Sequence, residues 1–204
     1  MASNLDLARQ LLAIAQTGRH FARSDYDRER YDAVADIAAR LLANESDRSA
    51  ESLRATWQVE DGYATPKIEV RGAVFRDDSV LLVHERADGR WTLPGGWADV
   101  NESPSQAIEK EIVQESGFEA RAVKLAAVFD RRKHGHPEFL FHAWKLFFIC
   151  EITGGEPRTS IETDGVEFFP VSALPELSVG RVTAAQIRRM HEHDRARGMA
   201  TDFD

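Results

Sequence analysis

The stretch that most constrains the fold of this chain runs from Pro94 to Phe118, where a glycine-bearing loop, a capped helix and a glycine stop follow one another. Ser103 can accept a hydrogen bond from the Gln106 N–H, Pro104 occupies the first helical position, and Gln106 can reach back to complete a capping box. Gly117 supplies the left-handed residue after the last turn, and Phe118 its apolar contact. Within the predicted helix Ile108 and Ile112 form an apolar edge, while Glu111 and Glu115 stack one turn apart with Gln114 beside them. Two carboxylates therefore project from one side. That pairing costs stability on a solvated helix and suits a hard divalent cation that prefers oxygen ligands.

Counted from Gly96, the spacing is five residues, Glu102, seven residues, Lys110-Glu111-Ile112, one residue, Gln114-Glu115, one residue, Gly117-Phe118. This closely resembles the Nudix box: glycine, five residues, glutamate, seven residues, arginine-glutamate-aliphatic, one residue, glutamate-glutamate, one residue, glycine-aliphatic. Lys110 stands where the family has arginine and Gln114 where it has the first glutamate of the pair. Lysine lacks the planar fork of arginine, and glutamine is a neutral ligand, so the resemblance carries an expectation of weaker metal binding.

The resemblance implies Mg²⁺, with Mn²⁺ as a substitute, held by Glu111, Glu115 and the backbone carbonyl of Gly95 or Gly96. Gln114 would offer at most its amide oxygen, and Glu102 would orient Lys110. The loop Thr159–Gly165 would lie over the metal site. Its Glu162 is the candidate for orienting the attacking water, with Glu111 competing for that role and Asp164 and Glu167 as further acids. Arg71 is carried over as a substrate contact, and Trp97 as a pocket wall beside Trp91 and Phe129. The basic turn Asp130–His136 offers Arg131 and Lys133 to substrate phosphates, or is a solvated hairpin tip. His134 and His136 lack the further ligands that zinc requires.

Ahead of this region come two helical patterns, Leu5, Ala8, Leu11, Leu12, Ala15 and then Tyr31, Val34, Ala35, Ala38, Leu41, Leu42, each with one apolar stripe. The link between them is expected as a turn over Gly18–Asp25, with a Ser or Asp cap. The hairpin is too small to bury both stripes alone, which leads to an expected homodimer in which each N-terminal segment walls the partner's nucleotide pocket. Tyr26-Asp27-Arg28-Glu29-Arg30-Tyr31 resembles the helical segment that precedes some hydrolases of X-linked nucleoside diphosphates. The expected domains are a helical hairpin at 1–50, a linker at 51–65 with at most a short helix at Ala50–Trp57, and a Nudix hydrolase domain at 66–204.

In that last domain, Ile68–Phe75 and Ser79–Glu85 read as strands joined at Arg76-Asp77-Asp78. Ala120–Phe129, Phe139–Ile152 and Gly165–Val171 follow as strands, and Thr183–Arg195 as a helix. Strands on both sides of the motif helix predict an α/β fold, an α/β/α sandwich around a mixed sheet.

A net charge of −8 argues against duplex nucleic acid as partner, because its recognition needs clustered Lys and Arg. The lone Cys150, in an apolar run, reads as a core residue of a protein in the reducing cytoplasm. The N-terminus lacks the pattern of a signal peptide, and no apolar run is long enough for a membrane span. The expected function is Mg²⁺-dependent hydrolysis of the pyrophosphate of a small nucleoside-diphosphate substrate of ADP-ribose or CDP-choline type. Two alternatives stay open: a Nudix-fold sensor or regulator with little turnover, and an RNA-end processing hydrolase.

Overall fold

A computed structural model describes residues 3–44, 47–57 and 61–204. The chain divides into two units, Met1–Pro66 with Phe139–His142, and Lys67–Glu138 with Ala143–Asp204.

The first unit is helical. Ser3 caps α1 (Asn4–Phe21) in a capping box with Asp6, and Ser24 caps α2 (Asp25–Ala43) by accepting from the Asp27 N–H. The short α3 spans Ala50–Trp57. Ala8, Ala38, Ala39, Leu42, Leu53 and Trp57 form its core, with Leu140 and Phe141 packed against them. The Arg9 guanidinium donates to the Leu140 carbonyl at 3.1 Å. The turn expected over Gly18–Asp25 is shorter than the sequence implied, because α1 continues through Gly18 and ends at Phe21. Gly18 serves packing: the Tyr31 ring of α2 lies where a Cβ would stand. Of the expected hairpin and linker, residues 1, 2, 45, 46 and 58–60 lie outside the described residues.

The second unit holds β1 (Lys67–Arg76), β2 (Ser79–Glu85), β3 (Arg90–Thr92), α4 (Pro104–Ser116), β4 (Phe118–Asp130), a 3-10 turn at Arg131–Lys133, β5 (Ala143–Gly155), β6 (Thr163–Pro170), α5 (Ala184–Arg195) and β7 (Asp202–Phe203). The sheet is mixed: β1 runs parallel to β5, β5 antiparallel to β4, and β2 antiparallel to both β3 and β6. One apolar layer joins Ile108 and Ile112 of α4 to Val70, Val74, Leu81, Phe148 and Cys150, and burial pushes the Cys150 thiol up to about 12. The other joins Ile187 and Met190 of α5 to Ala73, Leu82, Phe147 and Ile149. This is the α/β/α sandwich that the order of strands and helices implied. One strand is shorter than expected: the apolar run from Phe139 enters the sheet only at Ala143, because residues 139–142 belong to the helical unit.

The β1–β2 hairpin pairs only Phe75 with Val80 and Arg76 with Ser79 before the strands part. The motif loop fills the edge of β1 that β2 leaves open. Gly72 N–H donates to Pro94 at 2.9 Å, Val70 N–H to Gly96 at 2.9 Å, and Ala98 N–H to Ile68 at 3.0 Å. A loop held this way has the fixed backbone of a strand, which a binding site requires. Among the described residues, no helix is long and apolar enough to cross a membrane.

Candidate active site

The start of α4 is fixed by the capping box read from the sequence, with Ser103 N–H donating to Gln106 Oε1 at 2.9 Å, and its end by Gly117 at φ 78°. Ile108 and Ile112, both fully buried, pin one face of the helix to the sheet and so fix the rotation that turns Glu111 and Glu115 toward the motif loop. Glu115 is 5% exposed, and its Oε2 accepts from the Gly95 N–H at 2.8 Å. Gly95 has φ +140°, and a Cβ there would strike the Val70 carbonyl. At Gly96 the missing side chain makes room for Glu111, whose Oε1 lies 2.9 Å from where a Cβ would stand. Among the described residues the Glu111 carboxylate accepts no hydrogen bond.

Burial raises the Glu115 carboxyl to about 7, and the neighbouring Glu111 and Glu85 add to the rise, against the opposing pull of Arg71 and the Gly95 N–H. Glu111 is raised in the same way, first by burial and then by Glu162 and Asp99, against Arg71 and Lys110. Two crowded carboxylates whose pKa values are both raised, with no cationic side chain bonded to either among the described residues, form a site whose full ionisation a bound cation would favour.

Behind them lies a buried charge network that sequence reasoning missed. Arg71 is 4% exposed; its Nε donates to Glu69 Oε1 at 2.7 Å and its Nη1 to the Leu93 carbonyl at 2.9 Å. Lys145, fully buried on β5, donates to Glu69 Oε2 at 2.6 Å. Burial alone would raise the Glu69 carboxyl, but Arg71 and Lys145 outweigh it and hold it below its ordinary range. Burial pulls the Lys145 ammonium down to about 7, with Glu69 opposing. The buried Glu85 pairs with Arg181 at 3.1 Å, and Arg181 also reaches Asp88 at 3.3 Å. A signal for Lys145 existed: it is the one charge inside the apolar run Ala143–Cys150, where a cation needs a buried anion, and Glu69 stands on the neighbouring strand.

The other residues singled out in the sequence take up varied positions. Lys110 Nζ reaches Glu102 Oε1 at 2.7 Å and Asp99 Oδ2 at 2.8 Å, hydrogen bonds that raise its pKa, while Glu102 Oε2 is buried without a partner. Gln114 is exposed on α4. Glu162 is exposed and carries negative charge within electrostatic reach of Glu111 and Glu85. Arg71 is enclosed by Glu69 and Leu93 instead of extending into solvent, and Trp97 is 46% exposed. Arg131 is buried and donates to the Pro137 carbonyl at 2.6 Å, whereas Lys133 is exposed on the same turn. His134 contacts Asp204 at 2.9 Å, and His136 contacts the Val179 carbonyl at 2.7 Å. Trp91 packs edge-on against Phe169, and Phe129 stacks on His134.

Among the described residues, no group of three or more His, Cys, Asp or Glu gathers for a metal ion. A two-carboxylate cradle still fits Mg²⁺, which binds proteins through one or two carboxylates and completes its shell with water and phosphate oxygens. The Gly96 carbonyl accepts from Val70 N–H and retains a second lone pair.

Residues 65–190 match the NUDIX domain, and residues 3–57 match a family described as UDP-X-like, N-terminal oligomerisation domain. The chain is 42% identical over 200 residues to the Bacillus subtilis (strain 168) protein named "Putative ADP-ribose pyrophosphatase YjhB", a match covering 98% of this chain and 96% of that protein. A crystal structure of a UDP-X diphosphatase superposes with a TM-score of 0.65 at 30% identity, covering 97% of this chain and 96% of that one. A Streptococcus suis ADP-ribose pyrophosphatase gives 0.64 at 38% identity, covering 69% of this chain and 100% of that one. With the motif helix, its loop and the sandwich all in place and the domain match spanning most of its length, the chain belongs to the Nudix family of pyrophosphohydrolases.

Proposed function

We propose that this chain hydrolyses the pyrophosphate of a nucleoside diphosphate linked to a second moiety, in a Mg²⁺-dependent reaction in the cytoplasm, and that it does so as a homodimer. The observation that carries this reading is the pair Glu111 and Glu115, seated on the Gly95-Gly96 turn with no cationic side chain bonded to either carboxylate among the described residues. ADP-ribose leads as substrate because the relatives over most of the chain carry that name, with UDP-linked sugars and CDP-choline next.

In this reading Glu111, Glu115 and the Gly96 carbonyl hold the cation, and Gln114 is near enough in sequence to add an amide oxygen. When bound, Mg²⁺ supplies Lewis-acid neutralisation of the pyrophosphate oxygens and a more acidic water. Glu162 orients the attacking water by accepting its hydrogen bond, and a carboxylate does this best when ionised. Glu111 can share that role. Lys110, held by Glu102 and Asp99, ties the helix to the loop that precedes it. Arg71 keeps positive charge behind Glu115 without reaching the solvent. Trp97, half-exposed beside Gly96, and Lys133, exposed on its turn, are the proposed contacts for the base and the distal phosphate, whereas Arg131 is buried against the Pro137 carbonyl and supports that turn from within.

The homodimer reading rests on α1. Leu7, Ile14 and Phe21 recur every seven residues and are 44%, 58% and 65% exposed. Such a stripe is what a second helix covers.

The test is a panel of ADP-ribose, UDP-glucose, CDP-choline and a 5′-triphosphorylated RNA, each with Mg²⁺ or Mn²⁺, following release of the two monophosphate products from each linked diphosphate and of pyrophosphate or orthophosphate from the RNA. Turnover of a linked diphosphate that stops on chelation is the expected result. Tight binding of ADP-ribose without turnover would instead make the chain a sensor, and cleavage of RNA alone would overturn the substrate class.

A further inference from the structure

The last turn of α4 carries Glu115, and Gly117 leads the chain out of the helix before that turn can be continued. Its final carbonyls therefore need partners from elsewhere. They find them in the segment that leads into β6. Arg158 N–H donates to the Ser116 carbonyl at 2.8 Å, and the Thr163 hydroxyl donates to the Glu115 carbonyl at 2.7 Å. Thr163 is fully buried.

The Thr163 hydroxyl has one proton, and Glu115 takes it. The 3.0 Å contact between Ser160 Oγ and Thr163 Oγ1 must then be donated by Ser160. Ser160 Oγ in turn accepts from the Glu162 N–H at 3.1 Å and from the Thr163 N–H at 3.0 Å. The result is an unbroken chain of donors from the backbone of Glu162, through two hydroxyls, to the backbone of Glu115. Two more bonds close the loop: Ser160 N–H to the Thr163 carbonyl at 3.0 Å, and Arg86 N–H to the Glu162 carbonyl at 2.9 Å. β6 also carries an extra residue here, since His84 pairs with Gly165 and Glu85 with Thr163, leaving Asp164 between them. A bulge of this kind re-aims the residues beside it.

We infer that Thr163 and Ser160 are positioning residues: their hydroxyls register the loop that bears Glu162 against the turn of α4 that bears Glu115, and so set where the Glu162 carboxylate stands relative to the Glu111–Glu115 pair. The inference rests on the reading of Glu162 as the residue that orients the attacking water. It explains how an exposed loop acid can hold a defined place, since the loop is anchored at its backbone and only the side chain is free.

Thr163→Val keeps shape and volume and removes the donor, whereas Thr163→Ser keeps the donor. The experiment measures kcat and KM for Thr163→Val, Thr163→Ser, Glu162→Gln and the double variant Glu162→Gln/Thr163→Val, using the member of the substrate panel that the wild type cleaves fastest with Mg²⁺. Glu162→Gln and Thr163→Val should each lower kcat about 10- to 100-fold with KM little changed, the scale of loss for a misplaced group. Thr163→Ser should recover most of that loss. The double variant should be no slower than Glu162→Gln alone within about threefold, because residues acting through one another are not additive. A Thr163→Val that lowers kcat by the same factor in both backgrounds acts independently of Glu162 and overturns the inference, as does a Thr163→Val with wild-type kcat while Glu162→Gln is impaired. Wild-type kcat in Glu162→Gln removes Glu162 from the chemistry and overturns the underlying reading together with the inference. Ser160→Ala breaks the same chain at its other end and gives the same four comparisons should Thr163→Val fail to fold.

Discussion

Lys110 shows how one side chain alters its surroundings. An ammonium offers point contacts, here one to Asp99 and one to Glu102, and the second oxygen of Glu102 is left buried and unbonded. A guanidinium presents a planar fork that satisfies both oxygens of a carboxylate at once. Lys110→Arg is therefore expected to raise the melting temperature by a few degrees and to leave kcat at or above the wild-type value, as thermal denaturation and steady-state kinetics would register; a lower melting temperature would refute this account of Glu102. Glu115→Gln keeps the acceptor that Gly95 N–H requires and deletes the charge, so folding should survive while kcat with Mg²⁺ falls about 100-fold or more, a loss of roughly 3 kcal/mol of transition-state stabilisation. At this scale the sequence was legible wherever local geometry dictates the residue: Ser103, Pro104, Gln106, Gly117 and the Glu111–Glu115 spacing could be read directly. Glu69, Glu85 and Arg181 could not, since their partners come from strands and loops far along the chain, and a single carboxylate on a strand looks the same whether it faces water or a buried cation.

Among the elements, α5 has a start that depends on protonation. Gln186 closes the capping box by accepting from Thr183 N–H at 3.0 Å with its Oε1, and its Nε2 lies 3.0 Å from His136 Nε2. The Val179 carbonyl takes the proton on His136 Nδ1, so Nε2 is the acceptor and the ring is neutral. The amide cannot flip without losing the cap. Burial lowers the His136 pKa from 6.5 to about 4, with Lys145 and Arg131 adding to the fall and the Val179 hydrogen bond opposing it. The unfolded chain therefore binds the proton more readily than the folded one. The contribution to stability is complete above the unfolded value near 6.5 and is lost as pH falls toward 4. Between pH 7.5 and pH 5 the wild type should lose about 2 kcal/mol more than His136→Asn, or about 4–8 °C, measured by denaturant and thermal melts side by side. Equal losses in the two proteins would show that His136 does not titrate in this way. Elements were legible where period and caps agreed, as in α2, α4 and α5. They were not where tertiary contacts override the pattern: α1 runs past Gly18, whose missing side chain leaves room for the Tyr31 ring, and residues 139–142 are apolar enough for a strand yet belong to the helical unit.

For the molecule as a whole, the exposed stripe Leu7, Ile14, Phe21 makes association the expected state, and Ile14→Glu places a charge at its centre. Sedimentation of that variant should give a species of half the wild-type mass with the helical content unchanged; a dimer that persists would assign the interface to another face. Removing the helices altogether is a different experiment. The helical unit is built from two stretches of chain, Met1–Pro66 and Phe139–His142, and the second is inserted between Glu138 and Ala143, inside the sequence that makes the sandwich. Leu140 and Phe141 pack against the apolar cluster of those helices. A protein cut at residue 66 would keep both side chains and lose what covers them, and it should precipitate unless they are replaced by polar residues. The same connectivity ties two distant stretches of sequence into one unit, so a substitution at Leu140 or Phe141 should be felt in helices some hundred residues upstream.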